Sequence, residues 1–243
     1  MIGRRKIFYL LTAGKRGSSN CMTKIEPDWI RIKDSVIKKE RIKPLVGDDI
    51  FDLTCRLLDK ARSLAVPKAI IKKEAISSVT DGAINLSGKR KLTGNIFSSH
   101  FKSAESLCFF LVTIGPAIED KASGLMKEED GLSGYLLDSI GSIAVESLAE
   151  DLEASLRDIY ESKGQSVSKR FSPGYCDWPI EEQVKLNKLL DFSKAGVRLN
   201  DSCMMKPMKS ISGLIGIGPK DLFTLKRSQC GICGMKACAY RRP

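Results

Sequence analysis

Leu107-Cys-Phe-Phe-Leu-Val-Thr-Ile114, followed at once by Gly115-Pro116, is the stretch from which the fold is read. An unbroken apolar run of this length reads as a buried strand. The proline beyond it lacks a donor and has its φ preset, so it suits the first position of a helix. Residues 117–128 and 131–162 then read as two helices, the second long. Along the second, Leu136, Ile140, Ile143, Ala144, Leu148, Leu152 and Ile159 form one apolar stripe at helical spacing. Upstream, Gly47-Asp48-Asp49 offers a helix start. Ile50, Leu53, Leu57, Leu58 and Leu64 carry that helix toward Pro67, and the β-branched content of 68–79 reads as strand. Downstream, the pattern predicts a helix over 179–193 and late strands at Ser210–Ile217 and Leu222–Leu225. Long helices beside a few separated strands predict an α+β fold, with the helices packed on a mostly antiparallel or mixed sheet.

The chain has 243 residues, 42% hydrophobic and 28% charged, the composition of a soluble globular protein. No apolar run approaches the roughly 20 residues that cross a bilayer. Arg4-Arg-Lys before Ile7–Ala13 imitates a signal peptide, but the apolar core is short and Lys15 and Arg16 follow it. Residues 1–25 are therefore set apart as a basic, poorly ordered extension, with Met22 read as a natural start. The main domain covers 26–227 and a cysteine-containing tail 228–243. A cytoplasmic location is expected, where the eight cysteines serve as thiols or metal ligands rather than disulfides. The net charge of +11 is spread along the chain, without interleaved aromatics or a helix-turn-helix or zinc-finger signature. A solvated surface, or a field that meets an acidic protein, is preferred over nucleic acid.

Arg170-Phe-Ser-Pro-Gly174-Tyr175-Cys-Asp-Trp-Pro179 sets a fixed cation, a rigid turn residue, a residue without Cβ and a phenol within six positions. Arginine offers a planar fork of donors to a carboxylate, and glycine permits φ > 0 and close backbone approach. Composition alone leaves open an ordinary tight turn. Glu146 lies almost opposite the apolar stripe of the long helix, among Ser139, Ser142 and Ala149. That reads either as a solvated glutamate or as a carboxylate with room for a ligand's ammonium group. Cys230-x-x-Cys233-x4-Cys238 offers two thiolates three positions apart and a third nearby. These fit a soft metal ion or iron–sulfur cluster, a redox pair, or a reduced tail. His100, the single histidine, reads as structural. Its setting Ser-Ser-His-Phe-Lys is not the D-x-H-x-x-G signature of corrinoid-binding modules.

Arg170-x-x-x-Gly174-Tyr175 resembles the S-adenosylmethionine-binding signature of the reactivation domain of cobalamin-dependent methionine synthase. Leu137-Asp-Ser-Ile-Gly-Ser-Ile-Ala-Val-Glu146-Ser-Leu-Ala-Glu150 is similar to that family's long helix. Leu199-Asn-Asp-Ser-Cys-Met-Met-Lys-Pro207, with Ser210-Ile-Ser-Gly213, agrees in order and spacing. The resemblance spans about residues 26–226. It implies that Arg170 pairs with the cofactor carboxylate and Glu146 faces its ammonium. It also places Gly174, Tyr175 and Asp177 along the adenosine, with Phe223 at a position where the family has tyrosine, so one hydroxyl contact is missing. Gly218-Pro219 likewise stands where the family has His-Pro.

The function so implied is that of a stand-alone activation-domain-like protein. It binds S-adenosylmethionine and supports reductive methylation of a cobalamin or other corrinoid held by a separate methyltransferase protein. A flavodoxin- or ferredoxin-like donor supplies the electron. Such a chain is a component of methionine synthase activity rather than a complete enzyme, and no catalytic residue of its own is expected. The alternative is a metal-binding, non-enzymatic scaffold or assembly factor for a corrinoid methyltransferase system, built on Cys230, Cys233 and Cys238.

Overall fold

The computed structural model describes residues 21–223 apart from 24, 40–47, 88 and 176. Strand β1 spans Cys21–Thr23, β2 Lys68–Thr80, β3 Ala83–Leu86, β4 Arg90–Thr93, β5 Ser106–Thr113, β6 Gln165–Phe171 and β9 Ser210–Pro219. They form one seven-stranded sheet in the order β4-β3-β2-β5-β9-β6, with β1 beside β2. Every pairing in it is antiparallel. Strands β7 (Arg198–Leu199) and β8 (Met205–Lys206) make a separate small ribbon. The helices are α1 Trp29–Lys39, α2 Asp48–Leu64, α3 Ile96–His100, α4 Ala117–Lys127, α5 Gly131–Glu161 and α6 Gln183–Leu190.

All eight residues of β5 are buried, because successive side chains leave a strand on opposite faces and both faces are covered. Cys108, Phe110 and Val112 enter a core closed by α1, α2, α4 and α5. Leu107, Phe109 and Leu111 enter a second core with Phe97, Phe101, Trp178, Leu186 and Phe192. The run that predicts a buried strand is thus the spine shared by two cores. The stripe of α5 faces the first core: Leu136, Ile140, Ala144, Leu148, Leu152 and Ile159 are buried, and Ile143 packs at its margin. Asp130 caps α5 by accepting the Ser133 N–H at 3.2 Å. Arg31 of α1 ties the helix layer together, donating to the Ser147 carbonyl at 3.0 Å and pairing with Asp151 at 3.1 Å.

Three expectations need correction. The helix expected over 179–193 is interrupted: α6 runs only over Gln183–Leu190, flanked by 3-10 turns at Ile180–Glu182 and Phe192–Ala195. Asp191 takes a left-handed φ of 55°, and the Asn187 side chain accepts the Phe192 N–H at 3.0 Å, which stops the helix. Residues 221–223 are turn, not strand, since Pro219 closes β9 and its carbonyl accepts the Leu222 N–H. Cys21–Thr23, counted with the extension over 1–25, pairs with Ala69–Ile71 at the sheet edge. Among the described residues no helix is long and apolar enough to cross a membrane.

Candidate functional site

Strand β6 is the outer strand on one side of the sheet, and its register decides where Arg170 points. Val167 pairs with Ile217 and Arg170 with Ile215, so two residues, Ser168 and Lys169, oppose Gly216 alone. This is a β-bulge. Regular alternation from Val167 would send Arg170 toward the second core and Phe171 under α5. The extra residue restores the opposite arrangement: Arg170 shares the α5 side with Ile215, and Phe171 joins Leu214 in the second core. Ser168 secures the bulge, its buried hydroxyl accepting the Gly216 N–H at 2.8 Å where the strand ladder is broken.

Arg170 there forms an ion pair with Glu146 of α5. The guanidinium side chain is 21% exposed and the glutamate 55%, so the pair stands at the edge of the core with one side open to solvent. The sequence implied that these two residues converge. The structure brings them into direct contact, 24 positions apart in the chain and on different elements. Adjacent guanidinium and carboxylate groups match, in reverse, the carboxylate and ammonium of an amino acid.

The surroundings of Glu146 differ from the expected small-residue face. Ala149 belongs to the core and Ser139 is buried. The stripe that shares the Glu146 face is Asp138 and Ser142, at four-residue intervals. It is covered by Lys209, whose ammonium lies 2.7 Å from Asp138 and 2.9 Å from Ser142. Lys209 is a residue of this neighbourhood that sequence reasoning missed. The available signal was Gly141, a glycine inside a helix, where a packing reason is to be sought.

Beyond Arg170 the chain makes a tight turn. The Gly174 N–H donates to the Trp178 carbonyl at 2.7 Å, and the Trp178 N–H donates to the Tyr175 carbonyl at 3.0 Å. Gly174 has φ 88° and Asp177 φ 61°, both left-handed. The Gly174 N–H is engaged inside the turn, and the side that a Cβ would take faces Ile180. Tyr175 is 64% exposed, an aromatic surface beside the ion pair in sequence and free of the core. Trp178 is the buried anchor of the turn, packed edge-on against Phe97 at 5.3 Å.

Phe223 lies elsewhere, packed against the second core. Its ring stands 5.6 Å from His100 and 6.2 Å from Phe101. His100 also meets Phe101 and Phe171 at 5.0 and 4.9 Å. Burial among these rings lowers the imidazole pKa below 6.5. His100 thus packs among aromatic rings at the end of α3 rather than standing on a surface loop. Cys230, Cys233 and Cys238 lie outside the described residues. Among the described residues no group of three or more potential metal ligands is found.

The antiparallel sheet and its long covering helix define an α+β domain, with the bulge-positioned ion pair at the edge of its helix-covered face. A family model described as the vitamin B12 dependent methionine synthase activation domain matches residues 89–227. The chain belongs to that family. Among solved structures, the crystal structure of the MetH reactivation domain bound to AdoHcy is similar, with a TM-score of 0.62 and 16% identity. The match covers 82% of this chain and 78% of that one, and shows a shared fold. A search of curated proteins gives no significant match.

Proposed function

We propose that this chain binds S-adenosylmethionine through its amino-acid moiety and presents it for reductive methylation of a corrinoid carried by another protein. The observation that carries the reading is the Glu146–Arg170 ion pair, held on the α5 face of the sheet by a bulge. The donor set fits the ligand. Arg170 receives the carboxylate in charge-assisted hydrogen bonds, and Glu146 faces the ammonium. Each residue exchanges one opposite charge for another, so opening the ion pair around the ligand leaves no charge uncompensated. The exposed ring of Tyr175 suits the adenosine, on a turn shaped by the left-handed Gly174 and Asp177. Phe223, packed against the second core, offers no hydroxyl in place of the family's tyrosine.

When bound, the sulfonium supplies an electrophilic methyl group. The chain's own work is to bind, orient and shield it from water. The single histidine is packed among aromatic rings and is not set in a cobalt-ligating motif, so the corrinoid is assigned to a methyltransferase partner. A flavodoxin- or ferredoxin-like protein is assigned as electron donor, and the charge of +11 suits acidic partners. The test is calorimetry with S-adenosylmethionine. Wild type should bind, and Arg170→Ala and Glu146→Gln should each weaken binding at least about tenfold, the loss of one charge-assisted contact. No binding by wild type, or equal binding by the variants, overturns the reading.

The Cys230-x-x-Cys233-x4-Cys238 spacing supports a second element, a zinc or iron–sulfur site in the tail. Metal analysis of anaerobically purified protein, beside the Cys230→Ser, Cys233→Ser double variant, checks it. Stoichiometric metal without any methyl-donor binding would favour the scaffold reading instead.

A further inference from the structure

We infer that Lys209 is a specificity-determining residue of the site, setting with Asp138 how strongly it prefers a cationic sulfonium over the neutral thioether left by methyl loss. The inference rests on the binding reading above and extends it to a residue outside the sequence signature.

Lys209 is placed with unusual firmness for a lysine. Its side chain is 9% exposed. The backbone is pinned on both sides: the Met208 N–H donates to Glu119 Oε2 at 2.6 Å, and the Lys209 carbonyl accepts the Ile114 N–H at 3.2 Å. The aliphatic stem crosses α5 at Gly141, where a Cβ would stand 3.3 Å from Lys209 Cε and 2.9 Å from Ile118 Cγ2. The glycine makes that crossing possible. The ammonium ends between Asp138 and Ser142. Ser142 lies one helical turn before Glu146, a rise of about 6 Å.

Two ion pairs therefore line one stripe of α5, Asp138 with Lys209 and then Glu146 with Arg170, while the Glu119 carboxylate holds the Met208 and Lys209 backbone. An amino-acid group, itself a zwitterion, adds no net charge to them. A sulfonium adds one positive charge, which the thioether lacks. The field of the Asp138–Lys209 pair is then felt by one ligand and not by the other. Removing one unit charge about one helical turn from Glu146, at the edge of the core, should shift relative affinity by about three- to tenfold.

The test measures the ratio of dissociation constants for S-adenosylmethionine and S-adenosylhomocysteine in the full chain. Lys209→Met keeps the apolar stem and removes the charge, so the ratio should move toward the sulfonium. Asp138→Asn removes the opposite charge and should move the ratio the other way. Lys209→Arg should leave it at the wild-type value. A lysine that only pins its loop would weaken both ligands alike, and an unshifted ratio in the variants overturns the inference. So does a shift of the same sign in Lys209→Met and Asp138→Asn. If Lys209→Met does not fold, Asp138→Asn carries the test alone, and an unmoved ratio there is decisive. Wild type that binds neither ligand overturns the binding reading and this inference together, an outcome distinct from binding with an unmoved ratio.

Discussion

Glu146 and Arg170 pair with each other, and the same two groups have the charges that an amino-acid zwitterion would engage. Arg170 uses a planar fork that lysine cannot reproduce. Arg170→Lys is accordingly expected to bind S-adenosylmethionine about tenfold more weakly or worse, read by the same calorimetric titration. Recovery to wild-type affinity would mean that charge alone suffices. Gly174 is held at φ 88°, where a Cβ meets the backbone. Gly174→Ala should cost about 1–2 kcal/mol of stability in denaturant unfolding. The nearest atom to an added Cβ is Ile180 Cδ1 at 3.3 Å, the end of a flexible side chain, so conformation rather than crowding sets that cost. Both positions were singled out in the sequence through resemblance to a family signature, which is local; their roles there remain part of the proposal. Lys209 was not singled out. Nothing in Pro207-Met-Lys-Ser states that this lysine, among many exposed ones, is buried.

At the scale of elements, the bulge in β6 is the device that aims the site. The Ser168 hydroxyl satisfies the Gly216 N–H inside the sheet. Ser168→Ala leaves that donor buried without a partner, at a cost of about 1–3 kcal/mol. It should also weaken donor binding several-fold as the phase of Arg170 loosens; chemical denaturation and titration on one preparation measure both. Helix α3 brings a second property. His100 is desolvated among Phe101, Phe171 and Phe223, so its folded pKa lies below the 6.5 of an ordinary histidine. Between the two values the unfolded chain binds a proton that the folded chain refuses. Stability is therefore full above pH 6.5, falls as pH drops through it, and stops falling below the folded pKa. His100→Phe should flatten the melting temperature measured between pH 7 and 5. A slope unchanged in that variant would place the titration elsewhere.

For the whole molecule, the excess of 40 lysines and arginines over 29 acidic residues acts at a distance rather than at the site. Association with an acidic corrinoid protein should slow several-fold between about 50 and 300 mM salt, as screening shortens the field. Stopped-flow or surface-binding kinetics would show it, and a salt-independent rate would assign the charge to solubility alone. The two-core architecture places the site at the open edge of the helix-covered face, next to the outermost strand. Arg170 there belongs to neither core, and its side chain keeps partial exposure.

The sequence by itself determined the elements whose residues interact locally. The buried strand at 106–113, the helices at 117–127 and 131–161 and the left-handed turn at Gly174 follow from period, proline and glycine chemistry. Only the tertiary structure decided which faces meet. A bulge is set by the pairing of β6 with β9, 45 positions apart at Arg170 and Ile215, and a buried lysine is made by the helix laid over it. Register and burial depend on contacts between distant segments, and a local pattern carries no record of its partner.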